Sequence, residues 1–124
     1  MAKVEGSTYS DGRCVWRAED LWGAAKGVPT IDLPVDDFVD QLNGTCWTQG
    51  DEEVTPNWVL CHTRRILNAE DYPIIIDQDG IILDGVHRLC RAVLEGREVI
   101  ATQRLTVLPE PIYIVEAEQV PLFI

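Results

Sequence analysis

The chain offers little from which to build a metal centre. It has two histidines and four cysteines, Cys14, Cys46, Cys61 and Cys90, which stand far apart with no Cys-x-x-Cys pair. A structural zinc site is therefore not expected, and free thiols in a reducing compartment fit better. No apolar run approaches the ~20 residues that span a bilayer, and the opening Met-Ala-Lys-Val-Glu-Gly-Ser lacks the apolar core of a signal peptide. The expectation is a cytoplasmic protein with no membrane partner. Bases are scarce too: 10 against 21 acids give a net charge of −11. Such a surface repels the phosphate backbone at long range, which argues against direct duplex-DNA binding.

The few bases are unevenly placed. Six of the ten, Arg64, Arg65, Arg88, Arg91, Arg97 and Arg104, fall between residues 60 and 104, and all six are arginine. The planar guanidinium suits phosphate or carboxylate held by two parallel hydrogen bonds, so a cationic pocket in an acidic body is one reading. Pairing with Glu70, Asp71, Glu95 and Glu98 is the other. An apolar fraction of 46% and a charged fraction of 25% are those of an ordinary globular chain, and 124 residues suffice for one domain with its own core.

Residues 1–12 read as a flexible arm, and residues 13–124 as a single α+β domain, a small mixed sheet with helices packed around it. Cys14-Val15-Trp16 is a short extended segment. Ala18, Leu21, Trp22 and Ala25 then form a stripe at helical spacing, with Glu19 and Asp20 in the first turn. Thr30–Leu33 alternates as a strand. Pro34 opens a helix whose buried stripe is Val35, Phe38, Val39 and Leu42. A loop over 45–54 carries Trp47 and the acids Asp51, Glu52 and Glu53. Thr55-Pro56 caps and starts a helix that runs to about Asn68 with His62, Arg64 and Arg65. On that helix His62 lies on the apolar face and reads as a packed, hydrogen-bonded residue. Ile74–Ile76 and Ile81–Leu83 flank Asp77-Gln78-Asp79-Gly80, a hairpin signal, and their wholly apolar character predicts cover on both faces. A helix follows from Val86, with Val86, Leu89, Cys90 and Val93 as its buried stripe and Gly96 as its stop. Val99–Leu105 and Ile112–Val115 are further strands, and the apolar end Val120–Ile124 must pack back on the body or meet a partner.

Between the hairpin and its helix stands Asp84-Gly85-Val86-His87-Arg88, followed by Arg91. A glycine turn into a helix start bearing cationic side chains favours an anion. The spacing lets His87, Arg88 and Arg91 share one helix face. Asp84 could cap the helix, hold a metal–phosphate unit or orient His87. The plain structural alternative makes Asp84 a cap, His87 a surface residue, and Arg88 and Arg91 partners of Glu95 or of the acidic loop.

From Val15 to about Pro111 the chain resembles the ParB/sulfiredoxin superfamily, and more narrowly its small stand-alone ParB-like members. The residues that carry the likeness are Leu33-Pro34, the Thr55-Pro56 helix, Pro73–Asp77, Asp79-Gly80, and Ile82-Leu83-Asp84-Gly85-Val86-His87-Arg88 with Arg91-Ala92. ParB partition proteins hold CTP with a Gly-Glu-Arg-Arg-x-x-Arg-Ala box, against which Gly85, Arg88, Arg91 and Ala92 match while Val86 and His87 depart. No helix-turn-helix follows, so a DNA-partition role is not expected. Sulfiredoxins place a cysteine where Val86 stands, and Cys90 cannot replace it, so that chemistry is not expected either. Free-serine kinases share the Asp84, Gly85, His87 and Arg88 positions. Their glutamate base has only Asp37, Asp40 and Asp51 as positional candidates.

The resemblance thus implies a nucleotide- or phosphate-binding protein. It would use Mg2+ with ATP, ADP or CTP and would be either a phosphotransferase or a nucleotide hydrolase. Asp84 and His87 would be catalytic, Asp84 also a metal ligand, and Gly85, Arg88, Arg91, Arg64 and Arg65 would bind phosphate. The alternative is a non-catalytic regulatory module that kept the pocket, with a protein partner or a second copy of the chain as its target.

Overall fold

The computed structural model describes residues 8–10, 14–44, 53–111 and 113–114. Among these residues seven strands and three α-helices follow in chain order: β1 Thr8–Ser10, β2 Cys14–Arg17, α1 Ala18–Ala25, β3 Ile31–Pro34, α2 Pro56–Leu67, β4 Ile74–Ile76, β5 Ile82–Asp84, α3 Val86–Leu94, β6 Val99–Arg104 and β7 Tyr113–Ile114. Between β3 and α2 lie two short 3-10 turns, Val35–Asp37 and Val39–Asn43. The result is a small mixed α+β domain.

The central sheet has the order β3-β6-β4-β5. β3 pairs antiparallel with β6, β6 runs parallel to β4, and β4 and β5 form the antiparallel hairpin. β4 and β5 are buried along their whole length, as apolar runs predict, but Ile81, expected in the second run, precedes β5 and is 42% exposed. Alternation sends Ile74, Ile76 and Ile82 to one face, against Leu89 and Ala92 of α3 and Val35 and Phe38 of the 3-10 turns. Ile75 and Leu83 go to the other face, against Trp16, Leu21, Ala25 and Leu105. The three-stranded sheet β1-β2-β7 is antiparallel throughout. Its first strand falls inside the span expected to be a loose arm.

The hairpin turn is built by Asp77, whose carboxylate accepts from the Asp79 and Ile81 N–H groups at 2.9 Å each. Gly80 supplies a φ of +87° that a side chain would resist. β5 is a sheet edge, and Gln41 covers it. Its Nε2 donates to the Gly80 carbonyl at 2.8 Å and its Oε1 accepts from the Ile82 N–H at 2.9 Å. The side-chain amide stands in for a neighbouring strand and occupies backbone groups that would otherwise pair with another chain.

Three local expectations need correction. The helix expected after Pro34 is instead the pair of 3-10 turns, although Val35 and Phe38 are buried as foreseen. Trp22 is not in the core: it is 53% exposed, while Ala18, Leu21 and Ala25 are buried. On α3 the buried residues are Leu89 and Ala92, and Val93 is 42% exposed. That helix is turned from the expected stripe so that small Ala92 meets the sheet and lets it approach closely. Cys46, Trp47, Asp51, Glu52 and the 115–124 segment lie outside the described residues.

Candidate functional site

The helix that carries the site starts abruptly. Gly85 is the N-cap of α3 with φ +118°, and no side chain caps the helix there. Asp84 is thus not the cap. The first-turn N–H groups have no acceptor within their own helix, and the dipole adds positive potential at this end. A Cβ on Gly85 would lie 2.6 Å from Cγ2 and 2.9 Å from Cβ of Ile74. The glycine is therefore required both for backbone conformation and for the close packing of this corner on β4.

Asp84 is 4% exposed. Its Oδ2 accepts from Trp22 Nε1 at 2.7 Å and is 3.0 Å from an Arg88 guanidinium nitrogen. Arg88 also donates to the Pro73 carbonyl at 3.0 Å. Arg91 donates to Glu95 at 2.7 Å and to the Ala69 carbonyl. The two arginines therefore pin the 69–73 connection onto α3. The shared cationic face expected for His87, Arg88 and Arg91 is not what forms: the three side chains part company to separate partners.

Arg88, Arg91 and Arg97 do line one open cleft, together with Glu70, Asp71 and Tyr72. Arg97 reaches Glu95 at 2.9 Å and Asp71 at 3.6 Å. Hydrogen bonding to Arg91, with further help from Arg97, holds the Glu95 carboxyl below its usual range. Each guanidinium here already meets a carboxylate, Asp84 for Arg88, Glu95 for Arg91, and Glu95 and Asp71 for Arg97, so the cleft offers an anion little surplus charge. Both sequence readings of the arginines hold in part: several converge, and they are paired.

His87 turns to α2. Its Nε2 is 3.0 Å from Nδ1 of His62, with ring centroids 5.3 Å apart and an angle of 10° between planes. Trp58 lies against His62 with a centroid separation of 4.1 Å. α2 is positioned by its start, where the Thr55 hydroxyl accepts from the Trp58 N–H at 3.1 Å behind Pro56. His62 is hydrogen-bonded, as expected, but its partner is the one other histidine in the chain. Trp22 and His62 are the two site residues that the motif does not flag. Arg64 and Arg65 are exposed on α2, and Arg65 is near enough to act on His87.

The His87 pKa is lowered from 6.5 to about 4, first by burial and then by His62, Arg65 and Arg88, with Asp84 opposing. The ring is neutral at pH 7, so it serves as a hydrogen-bond donor or acceptor and not as a fixed cation. Between these two values the unfolded chain holds more protons than the folded one, so stability falls as pH drops from 6.5 towards 4. The ring is half-buried, and allowance for solvent screening brings the loss to on the order of 1–2 kcal/mol. A His87→Gln variant, compared with wild type by urea denaturation at pH 7 and pH 4.5, should lose less stability over that interval. Equal losses would contradict the assignment.

Among the described residues no three His, Cys, Asp or Glu side chains gather to hold a metal ion. Nor is any helix among them long and apolar enough to cross a membrane. Of the positional candidates for a base, Asp37 and Asp40 sit on the 3-10 turns, and Asp51 lies outside the described residues. Comparison with protein-family models, with curated proteins and with solved structures gives no match.

Proposed function

We propose that the chain is a ParB-like protein that binds a phosphate-bearing ligand, a nucleotide, against the start of α3. One observation carries this reading: an α-helix opened by Gly85 without a side-chain cap has the His62–His87 pair and Arg65 beside it. Phosphate oxygens would accept from the first-turn N–H groups and from His87, with Arg65 adding charge. Arg91, expected with Arg88 to hold phosphate, is a lesser contributor here because Glu95 and the Ala69 carbonyl already engage it.

Mg2+ fits this site only as a companion of the nucleotide, held mainly by the ligand's own phosphates. Among the described residues Asp84 is the carboxylate at the corner, and Trp22 and Arg88 already engage it. That same engagement favours a second reading, a regulatory module that binds the ligand without turning it over. In the catalytic reading a phosphotransferase or nucleotide hydrolase would use His87 to move a proton or to stabilise transferring charge.

Calorimetry with ATP, ADP, CTP and GTP, each with and without Mg2+, tests the common part. Binding in the micromolar range is expected, weakened about tenfold or more in His87→Ala, which corresponds to roughly 1.4 kcal/mol. No heat at millimolar nucleotide would end the proposal. Phosphorus NMR on the same samples separates the two readings, since only the catalytic one forms new phosphate resonances.

A further inference from the structure

The geometry of the two histidines says more than that they touch. With Nδ1 of His62 and Nε2 of His87 separated by 3.0 Å, a centroid separation of 5.3 Å is about the largest that two imidazoles joined nitrogen to nitrogen can have. It is reached only when both centroids and both nitrogens lie on one line. The 10° between the planes then makes the rings nearly coplanar, meeting edge to edge. This is the arrangement of a linear N–H···N hydrogen bond, with the lone pair of one ring aimed along the N–H of the other.

We propose that His62 and His87 form a two-ring proton relay, in which His62 is a working member of the site. A neutral imidazole carries one N–H and one bare nitrogen. If His62 donates from Nδ1, its Nε2 is bare, and His87, accepting at Nε2, carries its proton on Nδ1. If instead His87 donates from Nε2, its Nδ1 is bare, and His62, accepting at Nδ1, carries its proton on Nε2. The two rings must therefore hold the same tautomer at any moment. A proton arriving at Nε2 of His62 sends the shared proton to Nε2 of His87 and releases the one on Nδ1 of His87. One proton enters, one leaves, both bonds to hydrogen are replaced, and the pair ends neutral in its other tautomer. The reverse path moves a proton the other way.

The surroundings suit transfer better than storage. Burial opposes a positive charge on His87 most, His62 and Arg65 on α2 and Arg88 on α3 oppose it further, and Asp84 at the end of β5 favours it. A relay needs rings that return to neutrality, and at His87 a depressed affinity for an extra proton favours that return. Trp58 packs beside His62 on the same helix and restrains the ring that must stay in line. The inference rests on the proposed ligand only for the identity of the group with which the proton is exchanged.

Nitrogen NMR of the full chain labelled at histidine tests the relay without any ligand. At pH 7 the two rings should show equal fractions of the Nδ1–H tautomer, with all four ring nitrogens averaged between protonated and bare values. His62→Phe, which keeps an aromatic ring beside Trp58, should raise the His87 titration midpoint from about 4 by about one pH unit or more, because a charge-opposing neighbour is gone. Unequal tautomers, a single frozen tautomer in both rings, or an unmoved midpoint would each overturn the proposal. The tautomer measurement uses wild-type protein, so it decides even where the variant does not fold. Failure of nucleotide binding would leave these shifts as they are, and frozen tautomers would leave a binding isotherm as it is.

Discussion

Gly85→Ala is expected to destabilise the protein by about 2–5 kcal/mol, through two additive causes. An L side chain at φ +118° pays for left-handed backbone, typically about 1–2 kcal/mol. The new methyl must also occupy space 2.6 Å from Ile74 Cγ2, 2.9 Å from its Cβ and 3.1 Å from its Cα. Ile74 is fully buried, and two of the three atoms belong to its rigid inner part, so a rotamer change cannot relieve the overlap. Overpacking of this sort costs about 1–3 kcal/mol. Urea denaturation measures the sum, and a melting point lower by roughly 10 °C or more should accompany it. Gly80→Ala is the control, since Gly80 has φ +87° and no heavy atom within 4 Å of an added Cβ. It should pay the conformational part alone. Equal losses at the two positions would show that contact with Ile74 plays no part, and a loss below about 1 kcal/mol at Gly85 would refute both causes.

The fold was legible where one short-range rule decides the outcome. Asp77 to Gly80 could be little other than a turn between two apolar runs, and Thr55-Pro56 little other than a helix start. The errors fall where tertiary contact overrides local pattern. Helical spacing around Pro34 is satisfied by two 3-10 turns because only Val35 and Phe38 need to reach the sheet. The stripe on α3 was misread because Ala92 looked neutral and Val93 apolar, yet close helix–sheet packing prefers the smaller residue. Trp22 has the hydrophobicity of a core residue and the hydrogen-bond donor of a surface one, and the donor's partner, Asp84, lies 62 positions away.

The site was legible as a list of residues and not as an arrangement. The Asp84–Arg91 stretch concentrates cations at a helix start, and all of those residues lie at one corner of the structure. Spacing on a helix says which side chains can share a face, but not which acceptors reach them first. Here the Pro73 and Ala69 carbonyls, Asp84 and Glu95 claim Arg88 and Arg91. The contact that now looks most consequential, His62 with His87, joins residues 25 positions apart on two different helices. No periodicity could find it; the scarcity of histidine was the only signal.

Asp84→Ala should cost about 3–5 kcal/mol, the usual result of removing one partner from a buried ion pair. Truncation would leave the Trp22 indole N–H and one side of the Arg88 guanidinium without their acceptor, inside a corner where Asp84 is 4% exposed. Asp84→Asn keeps an oxygen for Trp22 and loses only the charge, so a loss of about 1–2 kcal/mol is expected. The fluorescence of Trp22, whose indole would lose a fixed partner, should change in Asp84→Ala more than in Asp84→Asn. If the residue acts mainly by holding Trp22 and Arg88, replacing the whole pair with apolar side chains, as in Asp84→Leu with Arg88→Met, should recover a large part of the stability lost by Asp84→Ala. The folded Asp84→Asn variant then separates structure from chemistry. An Mg2+-dependent nucleotide affinity within a few-fold of wild type would assign Asp84 to the framework of the corner. Loss of the Mg2+ dependence at preserved stability would return it to the metal-binding role that its sequence context implies, and would require Arg88 or Trp22 to release it when ligand binds.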